Sequence, residues 1–218
     1  MAQSNVTESS VRANGAYVRG LKRAFDVGAS LAAIVVSAVP LAVSSLAICV
    51  ESPGAPLFRQ ERVGMGGVPF GMWKLRTMYV DAEQNVGHYL TPEQREQWER
   101  ERKVIHDPRV TKVGRVLRKI SLDEFPQFFN VLVGDMSVVG PRPVTAEELE
   151  WFGEDADEVL SVRPGVTGWW QAYARNGATW ESGERQAMEL YYVRNMGFAL
   201  DMRIFLHTFV AVFRLTGR

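Results

Sequence analysis

The longest uncharged apolar stretch runs from Val27 to Val50, 24 residues. As a helix it would reach roughly 36 Å, enough to cross the hydrocarbon core of a bilayer. Three features argue against an ordinary crossing. Pro40 stands at its middle, where a proline removes a backbone hydrogen bond and costs about 3 kcal/mol in a helix interior. Ala, Ser and Val dominate the run, with Leu31, Leu41 and Leu46 as its leucines, so its insertion energy is modest. Both flanks are basic, Arg19, Lys22 and Arg23 before it and Arg59, Arg62, Lys74 and Arg76 after it. The positive-inside rule then puts both ends on the cytoplasmic side. A re-entrant helix bent at Pro40 satisfies all three observations, with Ser37 bonding a carbonyl freed at the bend. A kinked single span is the alternative. A cleavable signal peptide fits poorly, because a polar tail precedes the run and no small-residue cleavage site closes it.

The remaining pattern is mixed. Residues 1–20 are polar and rich in Ser, Asn and Gly, and read as a mobile tail. "PLFRQERVGMGGVPFGMWKLRTM" carries two strand-like pieces around a Gly-rich turn and predicts a β-hairpin. "TPEQREQWERERKVI" predicts a solvated helix with Thr91 as N-cap and Pro92 in the first turn. "TAEELEWFGEDADEVL" is a second, acidic helical stretch, and "RPGVTGWWQAYARNG" reads as a loop punctuated by Gly165 and Gly168. Phe125, Phe128, Phe129, Val131, Leu132 and Val133 form an apolar surface too dense for an exposed helix; it packs in the core or rests on lipid headgroups. The C-terminal "LDMRIFLHTFVAVFRLTGR" is compatible with a helix lying on the same surface. The expected class is α+β, mainly helical: residues 1–20 a tail, 21–51 a re-entrant membrane helix, 52–218 a catalytic domain with a small hairpin and interfacial amphipathic helices.

Charge narrows the partners. The 218 residues hold 25 basic and 25 acidic side chains, so net charge predicts no affinity for nucleic acid. Locally, Lys103, Arg109, Lys112, Arg115, Arg118 and Lys119 face one acid, Asp107, which marks an anion site. The single cysteine, Cys49, excludes an intrachain disulfide and favours a reducing compartment. His88, His106 and His207 lack metal-ligand spacing.

Chemistry concentrates at "SLDEFPQFFNVLVGDMSVVGPRP". An Asp-Glu pair at a helix start is most often solvated against the helix dipole. Here Asp123 and Glu124 follow a basic run and precede Arg142, held between Pro141 and Pro143, with Lys74 and Arg76 closing the hairpin. Neighbouring carboxylates both stay ionised only when cations or a metal compensate. Such a pair facing phosphate-binding arginines suits phosphoryl chemistry, one carboxylate attacking phosphorus while guanidinium groups and Mg²⁺ take up oxygen charge. The sequence shows no Ser-His-Asp order and no zinc spacing, and "GMGG" lacks the lysine and hydroxyl of a P-loop.

"WKLRTM", "DPRVTKVGRVLRKISLDEFPQFFNVLVGDMSVVGPRP" and "RPGVTGWWQAYARNG" together resemble the bacterial sugar transferases that initiate surface glycan assembly, the small monotopic phosphoglycosyl transferases. The resemblance covers roughly Leu21 to the C-terminus. It implies transfer of a sugar-1-phosphate from a UDP-sugar to a polyprenol phosphate, usually undecaprenyl phosphate, at the cytoplasmic face of the bacterial inner membrane. It makes Asp123 the nucleophile, which forms a phosphosugar-enzyme intermediate as UMP leaves, and Glu124 the partner acid expected to hold Mg²⁺ with Asp123. Lys74, Arg118 and Arg142 match phosphate-engaging positions, Pro141 and Pro143 stiffen the Arg142 loop, and Arg76, Arg163 and Arg175 belong to the substrate side. Pro40 matches the bend of the family's membrane helix.

Departures fall near the expected sugar pocket: "WQAYAR" at Trp170 to Arg175 where many relatives read "WAQVNGR", and Glu189-Leu190 where they often carry an Asp before the "YYV" pair. They leave the sugar undetermined. A homodimer is compatible with the pattern, and the expectation is the minimal catalytic form, without an additional multi-span region before the anchor. Two competing readings are a non-enzymatic membrane scaffold whose basic run binds anionic lipid, and a soluble nucleotide-binding module with a buried helix.

Overall fold

The computed structural model describes residues 20–82, 84–101, 104, 106–174 and 178–213; the polar N-terminal tail, Lys103 and Arg175 lie outside the described residues. The chain is α+β and mostly helical. Helix α1 (Lys22–Glu51) is followed by the hairpin β1 (Leu57–Val63) and β2 (Pro69–Leu75), then by short helices α2 (Val86–Tyr89) and α3 (Pro92–Glu101). Next come α4 (Lys112–Lys119), the 3₁₀ turn Leu122–Glu124, α5 (Gln127–Val133), β3 (Ser137–Val139), α6 (Ala146–Leu149), a 3₁₀ segment Glu150–Asp155 and α7 (Ala156–Val159). The chain closes with β4 (Gly165–Thr167), α8 (Trp169–Tyr173), α9 (Glu184–Asn195) and α10 (Phe198–Phe213).

Helix α1 is built inside out. Its buried positions are Lys22, Asp26, Ser30, Ser37, Ser44 and Ile48, a mainly polar stripe at roughly helical spacing. Val35, Val36, Val39, Val43, Leu46 and Val50 point outward, each more than half exposed. No water-soluble helix gains from this arrangement, because the apolar face is the one left uncovered. Among the described residues, α1 is the one helix long and apolar enough to cross a membrane.

Its backbone stays helical through Pro40. The Ser37 hydroxyl donates to the Ile34 carbonyl one turn back, at 3.4 Å. It therefore does not serve the Val36 carbonyl, the one released by the missing Pro40 N–H. A serine hydroxyl in a helix reaches carbonyls behind it, and Val36 precedes Ser37 too closely.

Both ends of α1 are fixed to the rest of the molecule. At the N-terminal end, Lys22 Nζ donates to the Asp201 carboxylate and to the Val139 carbonyl at 2.8 Å. Asp26 accepts from Val138 N at 2.9 Å and from the Ser137 hydroxyl at 3.0 Å, and Arg23 donates to the Val131 and Leu132 carbonyls. At the C-terminal end, Ile48 packs with Leu75 and Leu117. The Glu51 carboxylate accepts from the free backbone N–H groups of Lys112 and Val113 at 2.7 and 2.8 Å, so α1 caps the start of α4.

The predicted hairpin forms, with Leu57 opposite Leu75 and Val63 opposite Pro69 around a turn whose Gly66 and Gly67 take positive φ. The outer edge of β2 is satisfied by a side chain: Asn130 of α5 accepts from Trp73 N and donates to the Gly71 carbonyl, both at 2.9 Å. Thr91 caps α3 as expected, its hydroxyl accepting from Gln94 N at 3.3 Å. Thr145 and Glu148 form a reciprocal capping box on α6.

"RPGVTGWWQAYARNG" differs from its expected loop character. Gly165–Thr167 forms β4, parallel to β3 with Ser137 opposite Gly165 and Val139 opposite Thr167, and Trp169–Tyr173 forms α8. The close strand approach needs glycine at both Gly140 and Gly165, where an added Cβ would strike the opposing backbone. The main core gathers Met72, Val131, Met136, Val138, Val139, Tyr192 and Ile204 beneath this pair. The apolar surface of α5 is only partly covered by the core. Val131 is fully buried, whereas Phe129 and Val133 are 46% and 75% exposed.

Candidate active site

Asp123 and Glu124 lie in the 3₁₀ turn between α4 and α5. Ser121, just before it, adopts φ 56° in the left-handed region, which a non-glycine residue holds only when its surroundings enforce it. This turn redirects the chain after α4. Gly114, inside α4, sits against Thr77 so closely that a Cβ would collide with the Thr77 carbonyl. That approach brings Arg118 to the hairpin, where its Nε donates to the Thr77 hydroxyl at 2.9 Å.

Burial and the Glu124 charge push the Asp123 carboxyl up to about 6, against the opposing pull of Lys74 and Arg118. Lys74, on β2, is lowered to about 8 by burial, partly offset by Glu124. Arg118 is lowered by burial, with Asp123 its foremost compensating charge. Arg142 follows β3 in the loop between the buried Pro141 and Pro143. A small open pocket beside Glu124 is lined by Lys74, Glu124, Gln127, Arg142, Val166 and Gln171 among others.

The predicted residues do not all converge. Arg76 donates to Ser52, Gly54 and Ala55, at 2.6 to 3.1 Å, and so ties the loop after α1. Arg163 donates to the Gly134 carbonyl at 2.8 Å, behind the end of α5. Within the basic run, Arg109 pairs with Asp107 at 2.7 Å, and Arg115 donates to the Val110 carbonyl. Arg175 is outside the described residues.

Arg62, Glu148 and Arg185 escaped the sequence reading as site residues, and Glu189 entered it only as a departure near the expected sugar pocket. Arg62 of β1 pairs with Glu148 at 2.6 Å, both side chains under 10% exposed. Arg185 and Glu189 stand one turn apart on α9 and are buried. Glu189 Oε2 accepts from Arg142 N at 3.2 Å. The i, i+4 spacing of Arg185 and Glu189 is visible in the sequence but looks like an ordinary surface pair.

The acid pair can be tested against Mg²⁺. Among the described residues no cluster of three or more His, Cys, Asp or Glu side chains converges. Two adjacent carboxylates, with substrate phosphates completing the shell, fit the ion's habit. The elevation of Asp123 by Glu124 is the repulsion that a divalent cation relieves.

An outward-apolar helix docked at both ends on an α+β domain, with Asp123 under the charges of Glu124, Lys74 and Arg118, frames the site. The chain belongs to the bacterial sugar transferase family, whose model matches residues 17–215. It is 38% identical over 201 residues to an undecaprenyl-phosphate galactose phosphotransferase of Salmonella typhimurium, covering 91% of this chain and 42% of that protein. It is 40% identical over 194 residues to the exopolysaccharide production protein ExoY of Rhizobium meliloti, covering 88% of this chain and 84% of that one. A UDP-glucose:undecaprenyl-phosphate glucose-1-phosphate transferase of Escherichia coli is 38% identical over 203 residues, with 90% and 40% covered. The chain thus spans about two fifths of the length of several of its relatives.

Proposed function

We propose that the protein transfers a sugar-1-phosphate from a UDP-sugar to a polyprenol phosphate, undecaprenyl phosphate in the simplest case, as the first step of an exopolysaccharide or related glycoconjugate. The observation that carries the reading is the strained, partly buried Asp123 beside Glu124, Lys74 and Arg118. An ionised Asp123 Oδ attacks the sugar-bearing phosphorus. The bond to the bridging oxygen breaks, its electron pair leaves with UMP, and a phosphosugar-aspartate remains. The lipid phosphate oxygen then attacks that phosphorus and returns the carboxylate. Arg118, Arg142 and Lys74 hold phosphate oxygens and absorb their growing charge. Mg²⁺ would be held by Glu124 with Asp123, where it would supply charge neutralisation for the phosphate oxygens.

One substrate is water-soluble and the other carries its phosphate at the headgroup plane, so the nucleophile must sit at that plane. The monotopic reading, with the domain on the cytoplasmic face of the inner membrane, is supported by the docking of both α1 ends on the one domain. A straight crossing would carry those ends to opposite sides. The exposed Phe129 and Val133, with Val116 on α4 and Ile120 just after it, offer apolar side chains suited to headgroup contact.

The test is a UMP-release screen across UDP-sugars with undecaprenyl phosphate, beside intact-mass trapping of the enzyme with donor alone. Expected is added mass equal to one phosphosugar, lost in Asp123→Asn. Product accumulating with no mass on Asp123 refutes the covalent route.

A further inference from the structure

Beyond the acid pair, a second group of buried charges surrounds Arg185. Its guanidinium lies between two indoles, 4.0 Å from the Trp170 ring centre and 3.9 Å from that of Trp180. Arg142 approaches the same Trp170 ring at 5.7 Å. Arg142 also lines the pocket beside Glu124 and Lys74. It therefore bridges the acid pair and the Arg185 cage.

The hydrogen-bond inventory of this group is unbalanced. Arg185 Nε and Nη2, Arg142 Nε and Arg62 Nε are buried and have no partner among the described residues. The unmet acceptors beside them are Glu189 Oε1 and Gln171 Oε1. Arg62 is matched by Glu148. Arg142 and Arg185 share the fields of Glu189 and Glu148, yet the buried Arg142 Nε and Arg185 Nε and Nη2 donors meet no acceptor. Burial and then the Arg142 charge lower Arg185 to about 9, and burial raises Glu189 to about 7. Buried guanidinium donors that meet no acceptor are costly to desolvate. An anion carrying several oxygen acceptors satisfies those donors and adds the opposite charge; a neutral polyol does not, and the gap between the two indoles is filled by Arg185 itself.

We propose that Arg142 and Arg185, with Glu189 between them, form a second phosphate subsite that holds the phosphate remaining on the nucleotide as the sugar-bearing phosphate is transferred at Asp123. The assignment rests on the nucleotide-sugar reading given above. In the step, the bridging oxygen keeps the electron pair of the broken P–O bond and becomes the fourth oxygen of UMP. The extra negative charge falls on the phosphate facing Arg142 and Arg185, whose donors are in place before the reaction.

Trp170 and Trp180 provide the readout. Full-length protein in detergent is titrated with UMP, uridine and inorganic phosphate while tryptophan fluorescence is followed, in the Asp123→Asn background so that no turnover intervenes. UMP is expected to change the signal saturably, and Arg185→Met to weaken UMP at least tenfold with uridine affinity unchanged. Arg185→Lys recovers part of the loss. Glu189→Gln, which removes the acid competing for the same donors, tightens UMP several-fold in a variant that keeps both arginines. UMP affinity unchanged in both Arg185→Met and Glu189→Gln overturns the subsite, as does an equal loss for UMP and uridine. A shift in donor-sugar preference at constant UMP affinity overturns it in favour of a sugar pocket. Displacement of the signal by a polyprenyl phosphate and not by UMP overturns the nucleotide assignment. Donor turnover by the Asp123→Asn protein itself would refute the covalent route and leave the binding result standing.

Discussion

Replacing Asp123 with Asn should abolish transfer and stabilise the protein at the same time. The carboxyl rises from 3.8 to about 6, through burial first and the Glu124 charge second. At about 1.4 kcal/mol per unit, the ionised form costs the fold about 3 kcal/mol. The side chain keeps some solvent contact. Screening there reduces the expected effect to about 2 kcal/mol. Asn has the same shape and no charge, so it recovers that cost; for a chain of this size the rise in Tm is about 4–8 °C. The sign with pH follows from linkage. The folded value lies above the unfolded one, so the penalty is complete above pH about 6 and vanishes below about 4. Thermal unfolding of both proteins in the same detergent with EDTA, at pH 7.5 and pH 4.5, measures this directly. The gap should narrow at the lower pH. An Asp123→Asn protein that is folded but no more stable than wild type at pH 7.5 would show that the carboxylate is not electrostatically strained, and the activation argument would fall with it.

Other perturbations probe the scaffold and the charges around the acids. Lys22→Met leaves Asp201, 0% exposed, without its ion pair. It should cost about 3–5 kcal/mol, whereas the outward-facing Val36→Ala should change stability by less than about 0.5 kcal/mol; protease susceptibility in detergent separates the two. Gly114→Ala pushes α4 away from Thr77 and with it Arg118. Adduct formation should fall at least tenfold while α3 and α9 keep their helical signal. The rate of adduct formation should decline as pH falls through about 6, where Asp123 gains a proton, and as pH rises through about 8, where Lys74 loses its charge. In Lys74→Met the alkaline limb should disappear from the rate profile; its persistence would exclude Lys74 as its source.

Local signals fixed much of this molecule. The hairpin around "GMGG", the Thr91 cap and the apolar α1 follow from turn chemistry, capping and hydropathy, which act within a few residues and leave a mark in the sequence. The adjacency of Asp123 and Glu124 is covalent and could not be missed. What the sequence could not decide is which cations meet them. Arg76 and Arg118 looked alike, yet one is spent on Ser52 and Gly54 while the other, held on Thr77, feels the Asp123 charge. The β3–β4 pair has three residues per strand, too few for periodicity, and forms because Gly140 and Gly165 let distant backbones approach. Arg185 and Glu189 look like solvated helix charges until Trp170 and Trp180 close over the arginine. Charge type and local shape were written in the residues; burial, which sets what each charge costs and therefore what it can do, came from contacts between segments far apart in the chain.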